Sequence, residues 1–114
     1  MKFIIAGGRD FDNYELLKNS CNELIFQKVS EVVSGEARGA DSLGEKWATE
    51  NKIRVTLFPA NWNKYGKSAG YKRNTQMADY ADGLIAFWDG KSKGTKHMID
   101  TSTQKGLEVH IVNY

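Results

Sequence analysis

Five short strand-type runs, Lys2 to Ala6, Glu31 to Ser34, Arg54 to Phe58, Leu84 to Trp88 and Val109 to Val112, alternate along the chain with segments of helical spacing. Strands separated by helices of this length predict a mostly parallel sheet, because a right-handed crossover is the only common way to bring successive strands alongside each other. The expected fold is therefore an α/β, Rossmann-like three-layer domain built on a mostly parallel five-stranded sheet. A chain of 114 residues fits one such domain over 1–114, with enough core to fold without disulfides or metals.

The junctions carry most of the chemistry. Ala6-Gly7-Gly8-Arg9-Asp10, Ser34 to Asp41, Gly70-Tyr71-Lys72-Arg73-Asn74 and Trp88 to Thr95 each set glycine beside charged or hydroxyl side chains. Read as loops before helices, they gather along the carboxyl edge of a parallel sheet, where such folds bind ligands. Glycine permits close backbone approach, helix N-termini supply free N–H groups, and Arg9, Arg38, Lys67 and Arg73 add positive charge, a combination suited to phosphate. The ligand-contact candidates are Gly7, Gly8 and Arg9; Gly35, Arg38, Gly39 and Asp41; Lys67, Arg73 and Asn74; and Asp89, Gly90, Ser92, Gly94 and Thr95, with Trp62 as a stacking surface for a base. Asp41 reads either as a helix N-cap or as an acceptor for a ribose hydroxyl. Trp88, at a strand end, is a second stacking candidate, whereas Trp47 belongs to a helix face and the core.

Local signals set the element ends. Asp12 and Glu15 have capping-box spacing and start a first helix that runs to about Gln27. Asp41 or Ser42 caps a second, ending near Asn51; Tyr71 to Ala81 and Thr95 to Lys105 are the remaining two, the latter closed by Gly106. Between Pro59 and the third helix, Ala60 to Gly70 reads as a long loop forming a lid or wall of the site.

Several function classes are excluded. Gly7-Gly8-Arg9-Asp10 lacks the third glycine of the dinucleotide fingerprint, and Gly94 is followed by Thr95-Lys96 rather than the Lys-Ser/Thr pair of a P-loop ATPase. His97 and His110 match no metal-ligand spacing, so no metal or other cofactor is called for beyond the nucleotide ligand itself. The single Cys21, at helical spacing among Leu17, Leu24 and Ile25, reads as a core thiol and favours a reducing, cytoplasmic setting. No apolar stretch approaches the ~18 residues of a membrane span. A net charge of +2 does not announce nucleic acid by bulk electrostatics, although Lys64, Lys67, Lys72 and Arg73 cluster locally. A homo-oligomer is compatible with this reading.

Gly7-Gly8-Arg9, Ser34-Gly35-Glu36-Ala37-Arg38-Gly39-Ala40-Asp41, Ala69-Gly70 with Arg73-Asn74 and Met77, and Phe87 to Thr95 together resemble the YspA-related branch of the SLOG superfamily, over nearly the whole chain. The superfamily is Rossmann-like and includes the Lonely Guy phosphoribohydrolases and the Smf/DNA-processing protein A family. The resemblance implies binding or sensing of a nucleotide or nucleotide-derived ligand at the loop edge. The Lonely Guy pattern pairs an arginine motif, matched by Arg73-Asn74, with a Gly-Thr-x-x-Glu loop, matched by Gly94-Thr95 except that Met98 stands where the catalytic glutamate belongs. Methionine cannot serve as acid or base, so cleavage of an N-glycosidic bond is the alternative reading. It would draw on Arg73 with a carboxylate from another loop, Asp41 and Glu36 first and Asp10 or Asp89 after them. The Ser-Gly-x-Ala-Arg-Gly-x-Asp pattern is shared with the DNA-processing family and keeps single-stranded nucleic acid as a further, less favoured partner.

Overall fold

A computed structural model describes residues 1–114. Five strands, β1 (Lys2–Gly7), β2 (Glu31–Ser34), β3 (Arg54–Leu57), β4 (Gly83–Trp88) and β5 (Glu108–Asn113), form one sheet in the order β3-β2-β1-β4-β5 with every pairing parallel. Five helices intervene: α1 (Tyr14–Leu24), α2 (Ala40–Glu50), α3 (Trp62–Tyr65), α4 (Ala69–Tyr80) and α5 (Lys93–Gln104).

The period of two along the strands divides the core. Phe3 and Ile5 of β1, Val32 of β2 and Ile85 and Phe87 of β4 face α1 and α2, where they meet Leu17, Cys21, Trp47 and Ala48. Ile4, Ala6, Val33, Leu84 and Ala86 face the other way, onto Met77 and Ala78 of α4 and Met98 and Ile99 of α5. Both faces being covered explains why the central strands read as continuous apolar runs rather than alternating ones. Trp47 is fully buried and its indole N–H donates to Asn22 Oδ1 at 3.0 Å, tying α2 to α1. Cys21 is buried as expected, and burial pushes its thiol up to about 12.

Four expectations are corrected. The N-cap of α1 is Asn13, whose side chain accepts from the Leu16 amide at 3.0 Å, rather than Asp12, and the helix ends at Leu24 rather than about Gln27. Gly39, not Asp41 or Ser42, is the N-cap of α2. Ala60 to Gly70 is not an open loop: Asn61 caps α3 by accepting from the Lys64 amide at 3.1 Å, and a 3₁₀ turn over Gly66–Ser68 leads straight into α4. Consequently the helix expected from Tyr71 begins at Ala69, and Gly70 lies on its first turn instead of in a loop.

Candidate functional site

Because the connections leave the centre of the sheet in opposite directions, the chain after β1 turns to one face and the chain after β4 to the other, and a crevice opens between these neighbours at the carboxyl edge. There lies a cleft of about 450 Å³. Gly7 to Asp10 form one wall, Ser92, Gly94 and Thr95 another, and Lys67 with the start of α4 a third; Ala6, Ala37, Asp41, Met77 and Met98 complete the lining.

The β2–α2 loop supports this cleft through its own hydrogen bonds. Asp41 Oδ2 accepts from the amides of Gly35 at 3.2 Å and Ala37 at 3.3 Å, and Ser34 Oγ accepts from the Glu36 amide at 3.1 Å. Three of the amides that were candidates for a phosphate are thus already engaged. Gly39 explains the cap: its φ of +75° is left-handed, and a Cβ there would stand 2.8 Å from the Arg9 carbonyl carbon. That close approach lets the Ala40 amide donate to Gly8 O at 3.3 Å, so the loops after β1 and β2 are joined. Asp41 is buried at the cleft wall, and burial raises its carboxyl to about 6 against the lowering effects of the Ala37 amide and the Arg73 charge.

From α4, Arg73 reaches across to the same loop. Its Nη1 donates to Gly35 O at 2.5 Å and its Nε to Asn74 Oδ1 at 3.1 Å, while Nη2 has no protein acceptor. Burial pulls its pKa down and the charge of Asp41 opposes that. Asn74 is fully engaged, because its amide group also bonds Gly94 O at 3.3 Å and His97 Nδ1 at 3.2 Å. It is a strut that holds α4 against the first turn of α5. His97 in turn stacks on Tyr71 with ring centroids 4.4 Å apart.

The β4–α5 loop is shaped by Asp89, which accepts from the Lys91 and Ser92 amides at 2.8 Å each, and by the Trp88 indole, which donates to Ser92 O at 3.1 Å. Ser92 caps α5, its Oγ accepting from the Thr95 amide. The amides of Lys93 and Gly94 precede the first residue that can find an intrahelical acceptor, and space beside Gly94 is open. Met98 is buried at the cleft lining, so α5 presents no carboxylate there; the carboxylates on the cleft are Asp10 and Asp41. Asp10 accepts from Tyr114 Oη at 2.9 Å.

A second cleft of about 360 Å³ adjoins the first and shares Arg9, Ala37 and Arg73 with it. Gly35, Arg38 and Trp62 line this second space, together with Glu36, Pro59 and Ala60. Of the sequence candidates, Gly7, Gly8, Arg9, Asp41, Lys67, Arg73, Asn74, Ser92, Gly94 and Thr95 meet at the first cleft. Gly39, Asp89 and Gly90 border neither and act on loop shape; Trp88 likewise braces its loop. Tyr71, which belongs to the Gly70 to Asn74 junction read from the sequence, also lines the first cleft. Glu36 has a left-handed φ of +60°, which a non-glycine residue seldom adopts.

A family model described as the YspA, cpYpsA-related SLOG family matches residues 1–65. The gene 61 protein of Mycobacterium phage D29 is 39% identical over 84 residues, covering 68% of this chain and 67% of that protein. The X-ray structure of DNA processing protein A (DprA) from Streptococcus pneumoniae superposes with a TM-score of 0.71 at 17% identity, over 96% of this chain and 49% of that one, which shows a shared fold. The chain spans about half the length of that structure. On the sequence match over more than half its length, with the Rossmann-like sheet to accompany it, the chain belongs to the YspA, cpYpsA-related SLOG family.

Proposed function

We propose that the first cleft binds a phosphate-bearing nucleotide or nucleotide derivative, and that the protein acts as a binding or sensing module for it. The observation that carries this reading is the unpaired cationic wall at the switch point of the sheet. The ion pairs of the molecule take their cations from Lys28, Lys96 and Lys105, leaving Arg9 and Arg73 with no ion pair beside the first turn of α5, although Arg73 has the charge of Asp41 nearby. Guanidinium groups with open donors and two free helix amides suit a phosphate, while Met77, Met98 and Ala6 offer apolar surface to a base or sugar. Hydrolysis of the N-glycosidic bond is the second reading. It is favoured by the position of Asp10 and Asp41 on the cleft and opposed by Met98 where the related enzymes carry glutamate.

Calorimetric titration with the common nucleoside monophosphates tests the binding reading, and Gly94→Ala sharpens it. A Cβ at position 94 meets nothing and alanine favours the helix, so the variant should be as stable as the parent or more stable by about 0.5–1 kcal/mol. Its affinity should nevertheless fall at least about tenfold, because the methyl group intrudes where phosphate approaches the amide. Silence across the panel with folded protein would overturn the reading, and release of free base, followed by chromatography and abolished by Arg73→Ala, would replace binding with hydrolysis.

A further inference from the structure

The two clefts are separated only by a wall they share, and the residues of that wall are Arg9, Ala37 and Arg73. A phosphate bound to these guanidiniums is therefore accessible from both sides. On the far side the second cleft offers Arg38, which also has no ion-pair partner, and the indole of Trp62, which is 50% exposed. The exposure of Trp62 is a property of ordered structure. It begins α3, whose N-terminus is capped by Asn61, and its ring lies beside Gly70 at the start of α4. An indole held in the open at the edge of a cationic cleft is a stacking platform for a base.

Resting on the nucleotide reading above, we propose that the ligand contains two nucleosides joined through phosphate. One nucleoside occupies the first cleft, the bridging phosphate lies on Arg9 and Arg73, and the second base stacks on Trp62 beside Arg38. A longer strand is not favoured, because the cations beyond Trp62 are turned to an aromatic ring instead of forming a track. The ammonium groups of Lys64 and Lys72 lie 5.1 and 4.9 Å from the centroid of Tyr65.

Titration calorimetry with three probes, each in adenine and guanine form, tests this: the nucleoside 5′-monophosphate, the pyrophosphate-linked dinucleoside, and the 3′–5′-linked dinucleotide. One of the two linked forms should bind about tenfold or more tightly than the monophosphate, the size of one base stacking on an aromatic side chain. The identity of the tighter form tells a free dinucleotide from a piece of nucleic acid. Trp62→Ala should reduce the gain to less than about twofold, and Trp62→Phe should keep most of it. Binding of the monophosphate with no gain from either linkage would overturn this inference and leave the nucleotide reading standing, as would a full gain retained by Trp62→Ala. Failure of all the probes to bind would remove both.

Discussion

Asp41 shows how one residue can serve the fold and the cleft together. Its carboxylate gathers the Gly35 and Ala37 amides into a tight loop and gives the Arg73 guanidinium a nearby opposite charge, at the cost of being buried. In the unfolded chain it titrates near 3.8, and in the folded protein near 6. The folded state then binds the proton more tightly, so this residue's contribution to stability is greatest below about 4 and is lost as pH rises through 6. A difference of about two pKa units is on the order of 3 kcal/mol. Asp41→Asn keeps an acceptor oxygen for the amides and carries no charge. Urea unfolding between pH 4 and 8 should show the wild type losing stability relative to Asp41→Asn as pH rises, with the difference levelling above pH 7. Parallel profiles for the two proteins would contradict this account of the carboxylate.

At the scale of elements, two helices end in the same way with different residues. After α5, Gly106 adopts φ +78° while its amide and that of Leu107 return to Thr103 O and Ser102 O at 3.1 Å each. After α2 the same pair of bonds runs from Lys52 to Thr49 O at 3.1 Å and from Ile53 to Ala48 O at 2.8 Å, with Lys52 at φ +57°. Both are Schellman caps, and only one has the glycine the left-handed position favours. Gly106 was therefore legible in the sequence as a stop signal, whereas Lys52 was not, since nothing local distinguishes a lysine forced into this conformation. Lys52→Gly should raise stability by roughly 0.5–1 kcal/mol, because removal of left-handed strain outweighs the added flexibility of the unfolded chain. Thermal unfolding would measure it, and a lowered midpoint would contradict the strain argument.

On the scale of the whole molecule, the charge distribution limits what kind of polymer the protein can hold. The net charge is +2, and the unpaired arginines at the carboxyl edge are Arg9, Arg38 and Arg73. With Lys67 of the first cleft, three to four neutralised phosphates on a single strand give a slope of about −2 to −3 in log affinity against log salt. A labelled oligothymidylate should bind weakly at about 0.15 M salt and follow that slope in fluorescence anisotropy. Tight binding with a much steeper slope would mean that lysines outside the two clefts take part, and would favour nucleic acid as the main partner.

Hydrophobic periodicity and the glycine-bearing junctions determined the class of fold, the number and kind of the major strands and helices, and the edge of the sheet where the two clefts open. These signals are local: a buried parallel strand must be apolar throughout, and a helix must begin and end within a few residues of its caps. Only tertiary structure decided which loop amides remain free. Asp41 lies four to six residues from the amides it accepts, and whether it caps a helix or folds its own loop depends on Gly39 passing against the backbone of Gly8 and Arg9. The same holds for Arg73, Asn74 and Trp62, whose partners lie in other elements of the chain. A side chain's chemistry is written in its sequence, but the group it faces is set by how the layers pack, and the division of one glycine-rich edge into two clefts with a shared arginine wall is a product of that packing.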